Sequence, residues 1–120
     1  MTGNYSTLTL TIAAAAALVA NRFVTQAGAY PAAGARAFGV TRTSAAAAGD
    51  LVPVDVNGTA IVEAGAAITF DAPLMLDATG RVVPLAGTGK TPVAVAMEAA
   101  GAAGALIEVL LVPGAGLVSA

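Results

Sequence analysis

Wherever this sequence shows a clear hydrophobic period, the period is two. In Tyr5-Ser6-Thr7-Leu8-Thr9-Leu10-Thr11-Ile12, an extended chain puts Leu8, Leu10 and Ile12 on one face and Thr7, Thr9 and Thr11 on the other. Alternation of residues that favour β structure marks a half-buried strand. Two readings of this segment stay open: the first strand of the domain, or an arm that pairs with another chain.

The same pattern returns further on. Residues 51–56 (LVPVDV) read as a strand whose Pro53 asks for a sheet edge or a bulge. Asn57-Gly58 is the dipeptide favoured in two-residue hairpin turns, which makes residues 59–63 (TAIVE) the return strand. Residues 67–70 follow after Gly65, then 73–77 and, past the turn 78–80, 81–84; the last two strands fall at 92–98 and 105–112. The alanine run 13–20 admits a helical turn or two, because alanine is the best helix former. The run 45–48, ending at Gly49-Asp50, reads as a loop. No strand alternates with a long helix. The expected fold is mainly β, a small β-barrel or sandwich domain with an extended N-terminal arm and little helix. Residues 1–21 form the arm or first strand plus the alanine-rich segment, and 22–120 a single β domain.

A chain of 120 residues makes one domain. Its charged residues amount to 10 %, against about 25 % in ordinary soluble domains, and its mean hydropathy is +0.84. Such a chain cannot build the usual Lys- and Glu-studded exterior. A spanning helix needs roughly 20 consecutive apolar residues, and the longest apolar run here, residues 12–20, is much shorter. No membrane is expected, and burial against protein partners is the better reading. A net charge of −2 with Arg22, Arg36, Arg42, Arg81 and Lys90 scattered singly argues against nucleic acid. Without Cys or His there is no thiolate, no zinc-thiolate site and no histidine base.

Residues 84–91 (PLAGTGKT) approach the phosphate-loop pattern G-x-x-x-x-G-K-[ST]. Pro84 stands where the first glycine belongs, and it neither reaches positive φ nor donates an N–H. Pro92 biases Thr91 away from helix, and Val93, Val95 and Met97 then alternate as a strand instead of opening the helix that would bind the anion. The plainer reading is a glycine-rich turn with Lys90 solvated at its tip. No cofactor and no metal are expected.

The acids Asp50, Asp55, Glu63, Asp71, Asp77, Glu98 and Glu108 offer pairs for acid–base hydrolysis, but a glycan cleft also wants aromatic platforms. Only Tyr5, Tyr30, Phe23, Phe38 and Phe70 exist. Asp50, Asp71 and Asp77 sit where turns use them. Glu98 and Glu108 read as solvation of an outward β face, or else as partners of an arginine such as Arg81 or Arg22 on another subunit. No enzymatic activity is expected.

The segments AGDLVPVDV (48–56), DATGRVV (77–83), TPVAVAMEAAG (91–101) and IEVLL (107–111) resemble a family of small tailed-phage capsid decoration, or cement, proteins. A weaker likeness extends over RFVT (22–25) and FGV (38–40). The resemblance implies a β domain that forms a homotrimer on local three-fold positions of the phage head, clamping major capsid subunits after expansion, with no cofactor. It places the protein on the virion capsid surface, assembled in the host cytoplasm. Residues 2–12 are the expected capsid contact by strand addition, with Tyr5, Leu8, Leu10 and Ile12 carrying it. Their deletion should leave a folded oligomer that no longer decorates. Val93, Val95, Met97, Leu106, Val109 and Leu111 are expected in core and trimer packing. The alternatives are another virion component, such as a head-fibre base or tail accessory protein, and a small β-barrel ligand-binding module.

Overall fold

The computed structural model describes residues 6–111, with side chains from Leu8 onward. These residues hold eight strands and no helix: β1 (Ser6–Ala13), β2 (Phe23–Val24), β3 (Gly39–Thr41), β4 (Leu51–Glu63), β5 (Pro73–Leu76), β6 (Val82–Pro84), β7 (Ala94–Ala96) and β8 (Leu106–Leu111). The strands form one curled antiparallel sheet in the order β2-β3-β4-β8-β7-β5-β6, with β1 also paired to β4. The fold is mainly β, a half-barrel.

The register reveals an internal duplication. In a first lobe, β1 pairs with residues 51–58 of β4, matching Ile12 to Val52 and Ala13 to Leu51. In a second lobe, residues 59–63 of β4 pair with β8, matching Val62 to Ile107 and Glu63 to Leu106. β3 meets β4 as β7 meets β8, Val40 opposite Asp55 and Val95 opposite Leu110. β2 meets β3 as β5 meets β7, Phe23 opposite Val40 and Pro73 opposite Val95. The loops repeat as well. Leu18 and Ala45 exchange two backbone bonds of 2.9 Å, and so do Ile68 and Ala100. The turn residues Asn21 and Asp71 both take the left-handed conformation, φ 65° and 67°, which Asn and Asp tolerate better than most residues.

β4 is therefore the end strand of one lobe and the opening strand of the next. Asn57-Gly58 does not reverse the chain, contrary to the hairpin expected there. Gly58 takes φ 94° within a continuous 13-residue strand, at the point where the register with β1 shifts. Its conformational freedom serves the passage from one lobe to the other, because the flanking segments find their partners in β1 and β8 instead of in each other.

Pro53 also departs from expectation. β4 is central, flanked by β1 and β3, yet β3 ends at Thr41, in register with Val54. Beyond that end no strand asks Pro53 for a donor, and its carbonyl accepts from Arg42 N at 3.0 Å. The 13–20 run forms no helical turn. Ala14 N donates to Asp50 O and Ala15 N to Gly28 O, at 2.8 and 3.0 Å, so tertiary bonds override alanine's helix preference.

Two clusters make up the core. The first lobe packs Ile12, Ala14, Leu18, Val24, Ala45, Val52 and Val54. The second, larger cluster centres on Val62, Leu74, Leu76, Val82, Ile107 and Val109, and it draws in Phe23 and Val40 from the first lobe. Each fully buried Leu or Val contributes about 1.5–3 kcal/mol.

Candidate interaction surface

Four of the acids, Asp50, Asp55, Glu63 and Asp77, are occupied with structure. Asp50 Oδ2 accepts from the N–H groups of Ala46 and Ala47 at 3.0 and 3.1 Å. Asp77 Oδ1 accepts from Thr79 N, Thr79 Oγ1 and Arg81 N, at 2.9, 2.9 and 3.0 Å. Partial burial alone would push the Asp77 carboxyl up, but these bonds and the Arg81 side chain outweigh it and hold it below its ordinary value. Glu63 joins the lobes, with Arg22 at 3.1 Å and Arg81 at 3.7 Å. Buried Asp55 has Arg42 at 3.3 Å and the Thr9 hydroxyl at 2.9 Å. Among the described residues no His, Cys, Asp and Glu group gathers into a metal site.

Glu98 and Glu108 correct both earlier readings. Glu98 Oε1 accepts from Glu108 N at 2.8 Å. Glu108 is fully buried, with both carboxylate oxygens unpartnered among the described residues, so it does not solvate an outward face. Arg22 and Arg81, offered as its partners across a subunit boundary, are paired within the chain. The 84–91 segment is a turn in which Gly87 and Gly89 take φ 85° and 74°. Lys90 is half-buried instead of solvated, its stem lying against Gly34.

What remains open is apolar surface. On the first lobe, a pocket of about 520 Å³ is walled by Leu8, Leu10, Phe38 and Val56, with Arg36 and Asn57 among its polar lining. Register gives Leu10, Phe38 and Val56 counterparts in Ala60, Val93 and Leu111 of the second lobe, and those are buried in the cluster that Phe23 and Val40 complete. One lobe covers the other's cavity, and among the described residues its own stays uncovered. On the second lobe Phe70 is 71 % exposed, Leu106 58 % and Leu110 46 %.

The residues expected to contact a capsid divide. Tyr5 lies outside the described residues, Leu8 and Leu10 wall the pocket, and Ile12 is buried in the first-lobe core. Of the packing group, Val93, Val109 and Leu111 are buried, Val95 and Met97 half-buried, and Leu106 exposed. Sequence reasoning did not single out Arg36, Phe38 or Val56 for a pocket. Their signal was positional, through the duplication alone.

The described residues thus form an eight-stranded curled sheet with exposed apolar side chains on both lobes. The phage cement protein model matches residues 2–111, and the chain belongs to that family, a structural protein of the virion head. No curated protein matches it. Among solved structures it is similar to the head fiber gp8.5 N base of bacteriophage phi29, with a TM-score of 0.70 and 20 % identity over 89 % of this chain and 95 % of that one. That likeness shows the shared fold.

Proposed function

We propose that the protein is a non-enzymatic decoration protein that assembles as a homotrimer on the outer surface of the phage head, after synthesis in the host cytoplasm, and ties neighbouring major capsid subunits together. The observation that carries this reading is the cement-family match over nearly the whole described chain. The exposed apolar residues on both lobes supply the kind of surface such contacts bury.

The capsid contact proposed for residues 2–12 needs a test that spares β1. Deleting residues 2–12 would remove β1 and Ile12 from the first lobe, so a loss of decoration would report unfolding. The first part of that segment, residues 2–5 with Tyr5, can be removed without cutting β1 (Ser6–Ala13). A variant lacking residues 2–5 should keep the wild-type melting temperature and oligomeric mass, and fail to co-sediment with undecorated heads. Full decoration by that variant rejects the contact assigned to these residues.

A further inference from the structure

Within the chain, the first lobe docks on the second through its Asn21 turn: Asn21 Nδ2 donates to Ile61 O at 3.1 Å, and Glu63 N donates to Asn21 O at 2.9 Å. Beside that turn, Phe23 and Val40 close the second lobe's core. The counterpart turn of the second lobe, at Asp71, carries the same left-handed backbone but stands exposed, with Phe70 the most exposed aromatic beside it. The first lobe, in turn, presents the uncovered pocket on β1, the strand that corresponds to the 59–63 segment of β4.

Charge matches shape. Arg36, in the pocket lining, has no ion pair or hydrogen bond among the described residues, whereas Arg22, Arg42 and Arg81 are paired. The Asp71 carboxylate likewise has no partner among them. We propose that the Phe70-Asp71 turn of one copy docks on the first lobe of the next, Phe70 entering the pocket walled by Leu8, Leu10, Phe38 and Val56, and Asp71 meeting Arg36. The contact is head-to-tail, so it closes into a ring when the rotation per copy allows. An aromatic anchor filling an apolar pocket, with a charged pair at its margin, is the arrangement that dominates binding energy at interfaces. This assignment rests on the self-association proposed above and names its residues.

The test is the solution mass of the full chain by light scattering across a concentration series, with thermal melts to confirm folding. Wild type should be oligomeric. Phe70→Ala, Arg36→Glu and Asp71→Lys should each weaken self-association at least tenfold, and the double variant Arg36→Glu/Asp71→Lys should regain most of it. A lysine at φ 67° is strained, but added Arg36→Glu does not relieve that strain, so recovery of mass reports the pair. An oligomeric wild type whose variants all keep their mass overturns this contact and leaves the trimer reading standing. Variants that keep their mass but lose head binding assign the pocket to the capsid and overturn it too. A wild type that is monomeric throughout overturns the self-association on which it rests.

Discussion

The two lobes share a register pair by pair, yet they are finished differently. The second lobe's interior is completed by residues of the first, whereas among the described residues the first keeps an open pocket at the corresponding place. Their buried acids differ in the same way. Asp55 in the first lobe has a guanidinium and a hydroxyl, and Glu108 in the second has neither. Duplication supplies the backbone, and what each copy of the motif can do is then set by what happens to lie beside it.

Matched substitutions can break this comparison. The largest effect is expected in the closed core. Leu74→Ala, at a site with 0 % exposure, should lower unfolding free energy by about 2–5 kcal/mol, read by urea denaturation. Leu10→Ala, in the pocket wall and 39 % exposed, should cost about 1 kcal/mol or less. Equal losses would mean that the first-lobe pocket is packed as tightly as the second-lobe core.

The buried acids should respond with opposite signs. Glu108→Leu removes an unpartnered carboxylate and should raise stability by about 1–3 kcal/mol. Arg42→Ala takes the guanidinium from buried Asp55 while leaving the Thr9 hydroxyl, and should lower it by about 1–2 kcal/mol, the half-exposed arginine being partly screened. A destabilised Glu108→Leu protein would show that the carboxylate has a partner in the assembled state.

The smallest effect concerns one turn in its two versions. In the first lobe Thr25 Oγ1 accepts from Ala29 N at 3.4 Å, and in the second Asp77 Oδ1 accepts from Arg81 N at 3.0 Å. Only the second is ionisable. Because the folded Asp77 pKa is lowered, its contribution is complete above the ordinary aspartate range near pH ~4 and disappears as pH falls through the lowered value. Asp77→Thr, which installs the first-lobe turn, should flatten this part of the acid limb of a stability–pH curve. An unchanged limb would remove Asp77 from the acid response.

Much of the architecture was legible in the sequence because residues 5–12 and 93–97 alternate, and alternation is read locally. The duplication was not, because the two halves share registers but few side chains: Ile12 answers to Val62, Phe23 to Pro73 and Phe38 to Val93. The visible trace was two alanine- and glycine-rich stretches, 45–50 and 99–105, each followed by leucine. Asn57-Gly58 misled because positive φ permits a bend as well as a reversal, and only the partners of the flanking strands decide which. Glu108 misled for a related reason. It is buried in a strand flanked by β4 and β7, and its partner in register, Ile61 of β4, is distant in sequence.

β4 has one more consequence. Ser6 is opposite Gly58 and Leu110 is opposite Thr59, so the described chain starts and stops beside the same two residues. A short linker from Leu111 to Ser6, with a fresh break in the exposed 101–104 loop, yields a circular permutant whose strands keep every neighbour they now have. The same geometry makes the Gly58-Thr59 pair the common neighbour of the first and last described strands.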